Sequence, residues 1–424
     1  MKKKDQHKAH PHAGDNGHTP AGPGHSHGHG LTHDHDGDHD HDHGHDCCGG
    51  CGHEELLSGP MIEPLKLAGN EAVADFIDNV YGKSGFNGRR LAEAAELYVR
   101  MLDSGATVAI TLSGAMTPIG MSGVFNSLIE KGLVDLIIST GANLYHDLHR
   151  PFEFPMVQGH FEVDDNMLAD DGVARIYDVF IGEEDTLMAT DKVVMKALDY
   201  FDSSKPFSTA TLHHAMGRMT WEHAKSPKKS MVAVASKYDL PIFTSSPGDS
   251  SIAMALMIPH MFKKPVAMNP MLDILETAAI VRDADSNGVV EIGGGSPKNF
   301  YLQTQPMLQQ FLYDGSKGGH DYFLQLTADA PHWGGLSGAT PGEAKSWGKI
   351  KDAYTNNVVV YSCASLTFPL IAQYALVRAK PRKPRRLFKK IGPLCDKLIA
   401  AARKNEALRE QYPQFFGKKK KVGK

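Results

Sequence analysis

The chain has 424 residues, 41% of them hydrophobic and 22% charged, with a formal net charge of -4. That length allows one large domain or two ordinary ones around a sizeable core, and the small net charge gives no reason to expect a nucleic-acid partner. No apolar run approaches the roughly 20 residues of a membrane span, and Lys2 to Lys4 have no apolar secretory segment behind them. Cys47, Cys48 and Cys51 sit near the start, while Cys363 and Cys395 stand alone, so no disulfide framework is expected. A soluble cytoplasmic protein is the expectation.

Residues 1–55 alternate His, Asp and Gly and end in HDHDHGHDCCGGCGH. They carry too little apolar surface to fold and read as a disordered extension. His41, His43, His45, Cys47, Cys48 and Cys51 are candidates for weak Zn, Ni or Cu binding, but no fixed ligand spacing defines a metal site. Residues 56–376 read as one globular domain. RRLAEAAELYVRML (89–102) places Leu91, Ala94, Leu97, Tyr98 and Met101 on one helical face. VAITL (108–112) reads as a buried strand, VFNSLIEKGL (124–133) as a helix and VDLIIST (134–140) as the next strand. The region 145–230 is harder to parse; LMATDKVVMKALDYF and ATLHHAMGRMTWEHAK read as helices, with His213 and His214 structural or on the surface. Further strands are predicted at 241–245, 288–293, 322–327 and 357–365. Apolar strands alternating with helices imply an α/β, Rossmann-like fold, a mostly parallel sheet covered on both faces. Residues 377–424 read as a basic extension, expected disordered, in which Leu394 to Leu408 has the pattern of a docked helix.

Several predicted strands end in turns suited to one cofactor site: Ser113-Gly114, Thr140-Gly141-Ala142 and Gly293-Gly294-Gly295. No G-x-G-x-x-G occurs at these turns, so the usual dinucleotide fingerprint is absent, and each turn alone is also compatible with a plain strand–helix connection. The run GGLSGATPGEAKSWGKI combines Glu343, Trp347 and two lysines, Lys345 and Lys349, with glycines that let the backbone approach a ligand. A desolvated lysine there would be a nucleophile; a solvated surface loop is the alternative, and the loop alone does not choose between the two lysines.

The ordered set SGxxxxxxMSG, VDLIISTGANLYHDL, LPIFTSSPGDSSI, EIGGGSPKN, GGLSGATPGEAKSWGKI and VVVYSCASLTFPL, spread over about residues 65 to 375, resembles the deoxyhypusine synthase family. The resemblance implies an NAD-binding Rossmann-like sheet, a homotetramer with sites between paired subunits, and a polyamine substrate. It implies oxidation of spermidine's secondary amine by NAD, loss of diaminopropane and capture of the aminobutyl fragment as an imine on a lysine. Passage to an acceptor amine and return of the hydride complete the reaction. Matched residue by residue, the imine lysine falls on Lys349, with Trp347 and Glu343 beside it. The dinucleotide contacts fall on Thr140, Gly141, Ala142, Asp249, Ser251, Gly293, Gly294, Gly295, Gly334 and Ser337, with Ser365 next to that set. The sequence departs from the family pattern where Asn299 replaces a substrate-contacting His and where Met254 and Leu336 replace polyamine-binding acids. His146 and Cys363 replace acids of the nucleotide site. These changes favour a small diamine acceptor, giving a homospermidine-like product, over a protein lysine; an NAD-linked amine dehydrogenase is a further alternative.

Overall fold

The computed structural model describes residues 72–264 and 266–416. The His/Asp-rich head, with His41 to Cys51, and the last eight residues lie outside the described residues. The first long helix, α1 (Phe86–Asp103), buries Leu91, Ala94, Leu97, Tyr98 and Met101, the face its periodicity marks out. It leads into β1 (Thr107–Leu112), α2 (Ser122–Glu130), β2 (Leu136–Ser139) and α3 (Gly141–His146).

Next comes a feature absent from the sequence reading, a small antiparallel sheet of β3 (Met156–Gln158), β4 (Val173–Ile176) and β5 (Val179–Gly182), in the order β3-β5-β4. Its strands are three or four residues long and largely half-exposed, so no apolar run announced them. The single helix predicted over 187–201 is instead α4 (Ala189–Lys196), entered through a wide turn at Glu183–Met188 and left through a tight one at Ala197–Tyr200. There follow α5 (Thr209–His223), α6 (Met231–Lys237), β6 (Ile242–Thr244), α7 (Ser251–Met261) and α8 (Pro270–Asp283). The chain continues through β7 (Asn287–Ile292), α9 (Gly295–Leu302), β8 (Tyr322–Thr327), α10 (Pro341–Ser346), β9 (Asn357–Tyr361) and α11 (Ala364–Arg378).

Six strands form one parallel sheet in the order β6-β2-β1-β7-β8-β9. Successive side chains of a strand point to opposite faces, and the core accordingly divides in two. Val108, Ile110 and Leu112 join a cluster with α1, α2 and α11, whereas Ala109, Leu136, Ile138 and Phe323 join the cluster under α8 and α9. Both faces are therefore covered, as continuous apolar strands require. The chain runs outward from β1 to β2 and β6, then returns to the other side of β1 as β7. That reversal is the topological switch point, where the carboxyl ends of neighbouring strands part and leave a crevice.

The Lys/Arg-rich stretch from Arg378, expected as a disordered extension, is folded onto the body over its described part. Arg382 and Arg385 reach Asp135 at 3.0 and 3.5 Å, and Arg386 and Lys389 reach Asp239 at 2.7 and 2.9 Å. Behind them α12 (Ile391–Lys404) buries Ile391, Leu394, Cys395 and Leu398 against the α8 side of the core. A basic composition thus conceals an amphipathic helix anchored by buried acids. Of the two adjacent histidines, His213 is buried on the Ile242 carbonyl at 2.8 Å, and His214 stacks on Phe388 at 3.8 Å, both structural settings.

Candidate active site

The local sequence T-P-G-E-A-K-S-W-G-K sets the position of Lys349. Thr340 caps α10, its hydroxyl accepting from the Glu343 amide at 3.2 Å, and Pro341 occupies the first helical turn, where no amide partner is needed. The helix stops because Gly348 adopts φ +69°, open to glycine at little cost. Its amide donates to the Lys345 carbonyl at 2.9 Å and the Lys349 amide to the Ala344 carbonyl at 3.0 Å, the paired bonds of a Schellman turn. The Lys349 carbonyl then accepts from His320 at 3.0 Å, and Lys351 donates to the His320 carbonyl at 2.9 Å, tying the turn to the start of β8. Lys349 is thus the residue that follows the stop glycine, held on both sides.

The two lysines separate clearly. Lys345 is exposed and donates to the Lys351 carbonyl at 2.7 Å. Lys349 is half-buried, its Nζ 5.6 Å from the centre of the Trp347 ring and donating to Asn299 Oδ1 at 2.8 Å. Burial, and then the nearby Lys298 ammonium, hold the Lys349 amine below the ordinary lysine value, while Glu343 and Glu291 pull the other way. The Asn299 amide is oriented from behind, where its Nδ2 donates to Gln303 Oε1 at 3.2 Å, one helical turn on. A pocket of about 30 Å³ opens beside these groups, with Glu343, Trp347, Leu336 and Lys298 on its walls. Trp347 is 66% and Leu336 49% exposed, so the outer wall of the pocket is apolar and open. The arrangement supplies a nucleophilic amine of depressed basicity, an indole face for a cationic chain and one solvent-facing carboxylate.

The predicted dinucleotide residues come together as a rim along the carboxyl ends of the strands. At the switch point the Ser113 hydroxyl donates to the Ile292 carbonyl and accepts from the Gly294 amide, both at 2.9 Å, binding β1 to β7. Ser337 accepts from the Gly295 amide at 2.9 Å, and Ser246 and Ser296 share a hydrogen bond of 2.9 Å that links the turns after β6 and β7. Gly141 lies against Ser250, so close that an added Cβ would collide with its hydroxyl; Asp249 and Ser251 flank that serine. Thr140, Gly141 and Ala142 open α3, which Thr140 leaves without a side-chain cap.

One expectation changes in kind. The amides of Gly293, Gly294 and Gly295 already donate to Leu326, Ser113 and Ser337, so this run is built for close backbone approach, not for cradling phosphate with free amides. Gly295 and Gly334, at φ +59° and +71°, have nothing within 4 Å of a would-be Cβ and leave open space above the rim. A dinucleotide lying along the strand ends would need such open space.

The substituted positions have partners of their own. His146 shares a hydrogen bond of 2.9 Å with His149, which reaches Thr190 at 2.7 Å; burial lowers His146 to about 4. Cys363 occupies the N-cap position of α11 without a side-chain cap bond, its thiol 2.9 Å from the Ser365 hydroxyl, and that contact lowers the thiol. Met254 is 63% exposed on α7. Three residues next to the pocket escaped the sequence reading: Glu291, Lys298 and Gln325. The available signal was a carboxylate inside the apolar strand GVVEI, a placement that burial permits only beside a cation.

Comparison with known proteins addresses the ancestry. The family profile "Deoxyhypusine synthase" matches residues 76–375. The chain belongs to the deoxyhypusine synthase family. It is 40% identical over 350 residues to the deoxyhypusine synthase-like protein of Nostoc punctiforme, covering 80% of this chain and 89% of that one. It is 38% identical over 352 residues to the deoxyhypusine synthase-like protein of Cyanothece sp., covering 80% and 87%. The family transfers an aminobutyl group from spermidine using NAD. Among the described residues no helix is long and apolar enough to cross a membrane.

Proposed function

We propose that this protein is an NAD-dependent aminobutyl transferase that works through an imine on Lys349 and passes the group to a small diamine, giving a homospermidine-like product. The observation that carries the reading is the placement of Lys349: half-buried, beside an indole, bonded to a neutral amide and not to a carboxylate. A lysine held this way is less basic than a solvated one, which raises the share of the neutral amine, the form that adds to an imine carbon.

Thr140–Ala142, Asp249–Ser251, Gly293–Gly295, Gly334 and Ser337 would hold NAD along the rim, and NAD bound there would supply the two-electron acceptor and later donor for carbon–nitrogen bonds of the substrate. The protein's own residues do the rest. Trp347 and Glu343 bind the polyamine, the ring facing its cationic stem and the carboxylate its ammonium end. Once the substrate's secondary amine has been oxidised to an imine, the Lys349 amine adds to its carbon. Diaminopropane leaves with the proton that Lys349 gives up, and the aminobutyl group remains as an imine on Nζ. The acceptor amine adds to the same carbon, Lys349 leaves as a free amine, and the new imine is reduced. Asn299 holds one N–H of Lys349 and so aims the lone pair.

A small acceptor is favoured by the pocket wall. Glu343 is the carboxylate at its mouth, and Leu336 adds an apolar surface beside it, an arrangement that suits an amine with one cationic head and a short alkyl chain. We place the assembly as a homotetramer with sites between paired subunits. Met254, Met257, Met261 and Phe262 stand 55 to 75% exposed on and just after α7, an apolar face larger than isolated surface residues produce. The test is incubation with NAD and a panel of diamines and polyamines, followed by borohydride and mass spectrometry of products and of the Lys349 peptide. A trapped aminobutyl adduct with a diamine-derived product supports the reading. Transfer only to a protein lysine would replace the acceptor, net NADH accumulation would make the protein a dehydrogenase, and absence of any adduct with every amine would overturn the covalent route.

A further inference from the structure

Glu291 takes no part in the reaction just described, yet it is an unusual residue to find where it stands. It lies inside β7 between Val290 and Ile292 and is 0% exposed. Neither carboxylate oxygen has a hydrogen-bond partner, and its nearest counter-charge is Lys298 Nζ, 3.6 Å from Oε2. Lys298 is 2% exposed and its ammonium donates to Gln325 Oε1 at 2.9 Å and the Ala339 carbonyl at 2.8 Å, with Glu291 as its counter-charge. Two hydrogen bonds and one carboxylate hold that side chain in place. Burial penalises either charge alone, and each offsets that penalty for the other.

Lys298 lines the same small pocket as the reacting amine. Lys298 precedes Asn299 on α9, and Asn299 holds Lys349. The charged groups that face Lys349 are Lys298 from α9, Glu343 from α10 and Glu291 from β7; Asn299 and Trp347 face it without charge. We propose that Glu291 is a positioning residue that, by neutralising Lys298, fixes the charge behind Lys349, so that the two members of the pair bias Lys349 towards opposite charge states. Glu291 keeps the Lys298 charge from driving Lys349 wholly neutral, and Lys298 keeps the Glu291 carboxylate from claiming Lys349 as its ion-pair partner. This rests on Lys349 as the reacting amine, though not on any particular substrate.

The test reads Lys349 without NAD or polyamine. The full chain is reductively methylated with formaldehyde and cyanoborohydride across a pH series, and the Lys349 and Lys345 peptides are quantified by mass spectrometry. Glu291→Gln is expected to move the Lys349 labelling midpoint down by about one pH unit, raising its labelling about tenfold at a fixed pH below the midpoint. Lys298→Met is expected to move it up by a similar amount, while exposed Lys345 stays unchanged in both. Equal shifts of Lys349 in one direction, or none, would overturn the proposal. Where circular dichroism shows that a single variant does not fold, the double variant Glu291→Gln, Lys298→Met decides. A midpoint near that of the unaltered protein supports the pairing, and a displacement of about one pH unit or more overturns it. Failure of polyamine trapping with this pattern intact would sink the transferase reading alone.

Discussion

Two cation-rich regions of this molecule use their charges in opposite ways. In the segment after α11, Arg382 and Arg385 converge on Asp135, a carboxylate with 0% side-chain exposure, and Arg386 and Lys389 converge on Asp239. Each of those cations faces a carboxylate, two to each acid, and their work is to hold the chain against the body. Around α10 the matching is incomplete by design of the backbone: Lys349 follows a Schellman turn into a half-buried place where its first partner is the neutral Asn299 amide. On the proposed mechanism, what suits a lysine to chemistry is a neutral partner in a desolvated place. A carboxylate partner makes it a fastener.

Lys349 itself carries the largest expected effect. Lys349→Ala should abolish the borohydride-trapped adduct and reduce polyamine turnover by a factor on the order of a thousand or more; mass spectrometry of the peptide and product assay check it. On the other side, Asp135→Ala should leave Arg382 and Arg385 facing an empty buried site and cost about 3–5 kcal/mol in urea unfolding, with the trapping chemistry of the folded fraction intact. Trp347→Ala should weaken polyamine binding by roughly tenfold through loss of the indole face, a change in KM more than in kcat. Asn299→Asp converts the chemical lysine towards a fastener. The new carboxylate raises the Lys349 basicity, so the rising limb of the pH–rate profile should move up by about one unit, with a roughly tenfold loss on its acid side. Smallest is Lys397→Ala. Its pair with Asp283 spans 3.0 Å at the surface with both side chains largely in water, and the expected change in stability is about 0.5 kcal/mol or less.

Much of this was legible beforehand. The strands at Thr107–Leu112, Leu136–Ser139, Ile242–Thr244, Asn287–Ile292 and Tyr322–Thr327 fall where apolar runs bounded by Gly, Ser or Thr placed them, because a strand buried on both faces has to be apolar throughout. In the segment 357–365 the strand ends at Tyr361 and α11 begins at Ala364, a boundary that the Val/Tyr/Ser composition did not mark. The sheet of β3, β4 and β5 was not legible, since three- and four-residue strands with half-exposed faces leave no periodic signal. Nor was the docking of residues 378–416. Net charge hides the α12 apolar face, and the acids that receive its flanking arginines, Asp135 and Asp239, stand well over a hundred residues away in the chain.

At the site, local sequence by itself determined a great deal: the cap at Thr340, the stop at Gly348 and therefore the place of Lys349, because turns and caps are set by residues within reach of one another along the backbone. It also carried the family, through motifs that recur in order from the first strand to the last helix of the sheet. What only the tertiary structure decided is the electrical setting of that lysine. Asn299, Lys298, Glu291 and Gln325 arrive from α9, β7 and β8, and their influence depends on burial and on distances of a few ångströms, which exist only once the sheet has closed around them. The same holds for the triglycine run. Its place at a strand end reads as a turn suited to a cofactor site, and the fold has already committed its amides to Leu326, Ser113 and Ser337.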